Sequence, residues 1–222
     1  MSLRLDWCSH EAARYAVMKW HYSKVLPTGK LVKVGVWENM KFIGVIIFSR
    51  GASPHLCTKW SILNIEICEL TRIALDKHEA PVSRLISIAL RFLKKHCPGI
   101  RLVVSFADPN QKHVGAIYQA SNWIYTGISE PVDEWYINGR WRHTRGAWAY
   151  LKNENIRNNV PRRKALGKYR YVWVFDRKLE NKIKGREEKY PKRAESIESD
   201  ALDLPVEGGR CNSDLGAQKE EA

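Results

Sequence analysis

Four side chains in this sequence have the chemistry of proton transfer: His21 and Asp108 as bases, Tyr22 and Tyr118 as hydroxyl donors. His21 and Tyr22 stand in the run Lys19-Trp20-His21-Tyr22-Ser23-Lys24, and Tyr118 follows Asp108 by ten residues. One imidazole, one carboxylate and two phenols also make a donor set for a borderline or hard metal such as iron. Residue types alone leave both chemistries open. Each residue also has a structural reading: Asp108 before Pro109-Asn110 is a good turn former and helix cap, Tyr118 is spaced with Val114 and Ile117 as a core aromatic, and His21-Tyr22 suit the end of a helix.

Positioning them falls to a short series of elements. Ser9 caps a predicted helix running to about Trp20, with Ala12, Ala13, Ala16, Val17 and Trp20 near one face and His21 at its C-terminal end. Lys30–Trp37 and Lys41–Phe48 read as a hairpin, and Ile65–Leu75 as a further strand. Pro81–His96 carries Val82, Leu85, Ile86, Ala89, Leu90 and Leu93 at helical spacing and is stopped by Pro98-Gly99. Arg101–Ala107 is a buried-type strand that delivers Asp108, Val114–Ser121 is the helix that carries Tyr118, and Trp123–Gly127 returns as a strand. Glu134–Tyr150 is expected to form a second hairpin about Asn138-Gly139, and Tyr169–Phe175 a last strand.

Charge identifies a second functional region. The formal net charge is +13, yet residues 181–222 hold eight Lys/Arg against ten Asp/Glu, so residues 1–180 carry +15. From Arg140 to Tyr171 there are ten basic residues and one acid, Glu154, interleaved with Trp141, Trp148, Tyr150, Tyr169 and Tyr171. Basic side chains neutralise phosphates and aromatic faces stack on unpaired bases, so a nucleic acid is the expected partner, with Arg140, Trp141, Arg142 and Arg145 at the contact. From about residue 180 the apolar periodicity is lost, which divides the chain into a domain over 1–179, including a basic aromatic region over 134–175, and a tail over 180–222 that reads as disordered.

The order of these elements resembles that of the GNAT acetyltransferase superfamily, which implies an α/β (α+β) fold: a mixed central sheet flanked by helices, here with a C-terminal basic β-hairpin extension. Within that superfamily three motifs resemble the Mom DNA-modification proteins of Mu-like phages. They are Lys19-Trp20-His21-Tyr22-Ser23-Lys24, Glu69-Leu70-Thr71-Arg72-Ile73, and Ser105-Phe106-Ala107-Asp108 with Tyr118. The resemblance covers roughly residues 7–175 and implies conversion of adenine N6 in double-stranded DNA to a carbamoylmethyl derivative, protecting phage DNA from restriction. It further implies that His21, Tyr22, Asp108 and Tyr118 converge on the base as acid–base residues or as ligands of iron, with Ser23 and Arg72 at the substrate. One stretch departs from the superfamily pattern. Acyl-CoA enzymes cradle pyrophosphate in a glycine-rich loop before a helix, whereas Asp76–Arg84 has no glycine, which argues against acetyl-CoA and leaves Arg84 as the candidate for a phosphate.

Two rival functions follow from other classes: an ordinary N-acyltransferase acting on a tRNA, a protein or a small amine, and a non-catalytic nucleic-acid-binding protein on the same fold. Five scattered cysteines (Cys8, Cys57, Cys68, Cys97, Cys211) without a Cys-x-x-Cys pair exclude a thiolate zinc framework and fit a reducing cytoplasm. The first residues lack a signal-peptide pattern, and the apolar runs are strand-sized, so a cytoplasmic, membrane-free protein is expected.

Overall fold

A computed structural model describes residues 2–51 and 56–192. Its first half runs β1 (Leu3–Trp7), α1 (His10–Trp20), β2 (Leu31–Glu38), β3 (Lys41–Ser49), β4 (Ile67–Leu75), α2 (Val82–His96), β5 (Leu102–Ala107), α3 (Ala116–Gln119) and β6 (Ile124–Ile128). An inserted unit follows, comprising β7 (Val132–Ile137), β8 (Arg140–His143), α4 (Thr144–Leu151), α5 (Glu154–Asn159) and β9 (Arg162–Ala165). The chain then returns through β10 (Tyr169–Val174) and α6 (Arg177–Lys184).

Seven strands form one sheet in the order β1-β2-β3-β4-β5-β10-β6. Only β4 and β5 run parallel, because α2 carries the chain back across the sheet between them. Strand alternation then sorts side chains onto two faces. Val34, Val36, Ile46, Phe48 and Val103 pack under α2 through Leu85, Ile86, Ala89, Leu90 and Leu93, together with Tyr118, Trp123 and Tyr171. On the opposite face Val45, Ile47 and Ala74 receive Ala13, Ala16 and Val17 of α1. Leu102, Val104 and Val172 receive Leu179 and Ile183 of α6 on that same side. The molecule is therefore the expected mixed sheet between helical layers. Among the described residues, no helix is long and apolar enough to cross a membrane.

Besides the edge strand β1, three parts differ from expectation. The second hairpin is short: Asn138-Gly139 turns β7 into β8, but Thr144–Leu151 is helix α4, whose Ala147 and Leu151 bury against Ile137. Apolar residues four apart give the segment a helical face, which its dense aromatics disguised. Arg162–Ala165, where no strand is expected, is β9, the third strand of a β8-β7-β9 sheet. Order also extends past residue 179. Leu179 and Ile183 make an i, i+4 apolar pair in the otherwise charged α6, and Tyr190 donates from its hydroxyl to the Trp123 carbonyl at 2.7 Å. The remainder of the expected tail, from 193 onward, lies outside the described residues.

Candidate active site

β4 and β5 pair over only three residues, from Ile67↔Leu102 to Glu69↔Val104, although β4 continues to Leu75 and β5 to Ala107. Beyond the last pair the strands part, and side chains bridge the opening. Ser105 donates from Oγ to the Leu70 carbonyl at 2.8 Å, and the same Oγ lies 2.7 Å from the Tyr118 hydroxyl. A serine hydroxyl has one proton, so Tyr118 is the donor in its contact with Ser105. The Tyr118 ring packs between Trp123 and Tyr171, with centroids 5.2 Å away in both cases. Burial, only partly offset by Ser105, pushes the phenol up to about 12 and keeps it protonated.

A bulge in β4 supplies the opposite side of this opening. The register slips between Phe48↔Leu70 and Ile47↔Arg72, leaving Thr71 as an extra residue. Before it, Cys68 and Leu70 face the α2 core; after it, Ile73 and Leu75 do so, and Ala74 joins the α1 core. The slip therefore moves Arg72 onto the α1 face. There its Nη1 donates to the Thr71 carbonyl at 2.7 Å and its Nε to the Val25 carbonyl at 3.4 Å.

His21 meets Arg72 on that face. It ends α1, its N–H donating to the Val17 carbonyl, while its ring is only 8 % exposed. The Ser23 N–H donates to His21 Nδ1 at 3.1 Å, and Ser23 Oγ lies 2.8 Å from the same nitrogen. Because a backbone N–H can only donate, Nδ1 is the acceptor, and the neutral ring carries its proton on Nε2. Burial first, then the charges of Arg72, His113 and Lys24, lower the imidazole pKa to about 4. His21 is thus a neutral hydrogen-bond donor at neutral pH, and Ser23 braces its ring. Tyr22 stacks on it at 4.3 Å and remains 52 % exposed, with the His113 ring edge-on at 6.0 Å.

Asp108 leaves the end of β5 and caps the turn that follows. Its Oδ1 accepts from the backbone and side-chain nitrogens of Asn110, both at 3.0 Å, and its Oδ2 pairs with Lys168 Nζ at 3.0 Å. Burial opposes ionisation, but Lys168 and Asn110 outweigh it and hold the carboxyl below its ordinary range. The Asp108 carbonyl accepts from the His113 N–H, which ties this turn to the ring beside Tyr22. The structure thus gathers three groups: Tyr118 with Ser105, His21 and Tyr22 with Arg72, and Asp108 with Lys168. Tyr22 joins the second group to the turn after Asp108, since its ring contacts both His21 and His113.

The model of the Mom protein family matches residues 2–192. The chain belongs to that family. It is 27% identical over 194 residues to the methylcarbamoylase mom of Escherichia phage Mu, covering 82% of this chain and 79% of that one. Among solved structures, the spermidine/spermine N-acetyltransferase SpeG from Vibrio cholerae is similar at 13% identity, 81% and 99% coverage and a TM-score of 0.46. An aminoglycoside acetyltransferase in complex with coenzyme A and kanamycin gives 9%, 82% and 99%, and 0.47.

The donor set of this Mom-family protein does not fit the iron that the resemblance implies. A histidine binding metal through Nε2 must carry its proton on Nδ1, yet Nδ1 faces the donating Ser23 N–H. Asp108 is shared between Lys168 and Asn110, and Arg72 adds a further positive charge. Among the described residues, no three His, Cys, Asp or Glu side chains cluster as metal ligands.

The other expected contact residues lie in the insertion. Arg140 is exposed at the start of β8, and Trp141 lies beneath the Arg163 guanidinium at 4.3 Å. Arg142 donates from Nε to the Ile137 carbonyl at 3.3 Å and passes over the Tyr150 ring; Arg145 belongs to the first turn of α4. Arg84 is exposed in the first turn of α2, away from these groups in sequence. Sequence reasoning missed Ser105, His113 and Lys168 as site residues. Ser105 stood in a quoted motif, Lys168 was submerged in the basic run, and His113 carried no periodic signal.

Proposed function

We propose that this protein transfers a carbamoylmethyl group to N6 of adenine in double-stranded DNA, a modification that shields phage DNA from restriction. The observation that carries this reading is the protonated Tyr118–Ser105 pair at the strand opening, flanked by an ionised Asp108 and a donor-competent His21, in a chain of the Mom family.

The N6 lone pair is delocalised into the ring, so the amine becomes basic-site chemistry only as its new bond forms. When the N6–C bond forms and the donor's bond to its leaving group breaks, the nitrogen becomes strongly acidic. Even a carboxylate of lowered pKa can then accept its proton, which is the part given to Asp108. Tyr118 turns its proton to the leaving group, and Ser105 swings its own from the Leu70 carbonyl to the phenolate oxygen. His21 Nε2–H and Arg72 offer donors to the carbonyl of the transferred group. The N6 edge is engaged in pairing, so the nucleotide must be flipped out at a cost of about a few kcal/mol, and the exposed Tyr22 ring offers it a face to stack on. Arg140, Arg142 and Trp141 hold the backbone outside.

The test is to express the protein, hydrolyse host DNA to nucleosides and look for a heavier deoxyadenosine by mass spectrometry. The modified nucleoside is expected with wild-type protein and reduced about 100-fold or more in Tyr118→Phe, which keeps the ring and loses the proton. Its absence with well-folded wild-type protein would sink the reading.

A further inference from the structure

The β2–β3 hairpin turns at Asn39 and Met40, both in the left-handed region at φ 48 and 66, which leaves Glu38 as the last residue of β2. Alternation puts Glu38 on the face of Val34 and Val36, beneath the entry to α2, where it is only 7 % exposed. Its Oε2 accepts from the Glu79 N–H and its Oε1 from the Ala80 N–H, both at 2.9 Å. These amides belong to the loop that joins β4 to α2, the place where an acyl-CoA enzyme of this fold would present backbone N–H groups to pyrophosphate.

We infer that Glu38 is a built-in occupant of the anion cradle before α2, so that this protein takes its group donor without a phosphate bound there. Several observations agree on this. Both carboxylate oxygens are engaged, one amide each, which is the pairing a phosphate would otherwise make. The following residue is Pro81, which has no N–H to offer. Every residue of the loop carries a Cβ, so the backbone is less open to a bulky anion than one of glycine and favours the slim carboxylate of its own chain. The amides of Glu79 and Ala80 hold the Glu38 carboxyl below its ordinary range, so the occupant is charged at neutral pH. A phosphate entering here would have to displace a buried negative charge that the folded chain holds in place at high effective concentration. The donor class that follows is one recognised at the strand opening itself, with no nucleotide-type pyrophosphate anchored on α2.

The experiment is an amide-resolved NMR titration of the full-length protein with inorganic pyrophosphate and, separately, with coenzyme A. In the wild type the Glu79 and Ala80 resonances are expected to stay unshifted to millimolar concentrations. In Glu38→Ala they are expected to shift on addition of pyrophosphate, with affinity at least tenfold above wild type. Glu38→Ser, which shortens the side chain out of the cradle and keeps a polar atom, carries the same test if the alanine variant does not fold. Wild-type amides that move with either ligand would overturn the inference, and so would a folded variant whose amides still ignore pyrophosphate. No outcome depends on DNA modification, so failure here and failure of the proposed reaction are distinguishable.

Discussion

The opening between β4 and β5 and the inserted β8-β7-β9 sheet handle charge by opposite means. In the opening, groups are taken out of water and their protonation is displaced: the Tyr118 phenol is pushed up to about 12, the His21 imidazole down to about 4. In the insertion, charge stays near solvent and is matched across the strands. Arg162 pairs with Asp133 at 2.7 Å and Arg163 with Glu134 at 2.9 Å, while their guanidinium groups lie over Trp135 and Trp141. Chemistry at a poor nucleophile needs hydrogen bonds that strengthen in a low dielectric, whereas holding a polyanion needs cations that can still exchange water and counterions for phosphate. The insertion is also less free than its eight basic residues suggest, because two of its arginines are already committed to acids that precede the basic run.

The largest expected effect is in the opening. Asp108→Asn keeps the cap and the turn but loses the charge facing Lys168, so modified deoxyadenosine should fall about 100-fold while the melting temperature stays near wild type. A yield unchanged by this substitution would break the contrast by showing that the buried carboxylate has no part in the chemistry.

Next in size is a pH effect on stability. The His21 pKa falls from 6.5 to about 4 on folding, so the unfolded chain takes up a proton over that range that the folded chain refuses. The stability this contributes is complete above about pH 6.5 and is lost as pH drops towards 4, by up to roughly 3 kcal/mol. Denaturant melts from pH 7 to 4 should show that loss in the wild type and a shallower one in His21→Asn. Equal slopes would place the acid sensitivity elsewhere.

The smallest effect belongs to the insertion. Arg140→Ala combined with Arg142→Ala should weaken DNA binding about tenfold and reduce the salt slope by about two, with little change in stability. Fluorescence anisotropy across a salt series measures both, and indifference to the change would move the docking face off this sheet.

Much of the framework was readable from periodicity. α1 with its Ser9 cap, the β2–β3 hairpin, β4, α2 and β5 fall within two residues of expectation, because their apolar spacing is long and regular. β1 is a five-residue edge strand with few buried side chains and left no such signal. β9 has the sequence Arg-Arg-Lys-Ala, and no local rule favours a strand there; it forms against β7, where Glu134 meets Arg163 directly across the pair and Asp133, opposite Lys164, reaches Arg162 on the diagonal. Of the site, Tyr118 was legible as a core aromatic, and the structure buries it there with its hydroxyl against Ser105. His21 was read as a base, whereas the Ser23 N–H takes up Nδ1 and leaves the proton of the neutral ring on Nε2.

The sequence by itself determined the long periodic elements from α1 to β5, which residues could do chemistry and where positive charge accumulates, since helical and strand periods and residue types are local properties. Only the tertiary structure decided how those residues are used. The extra residue at Thr71 turns Arg72 to the α1 face, where it reaches Val25, and Glu38 meets amides 41 and 42 positions away. Such meetings depend on the register of strands distant in the chain, and a one-residue slip in that register exchanges the faces of a sheet without altering any local preference.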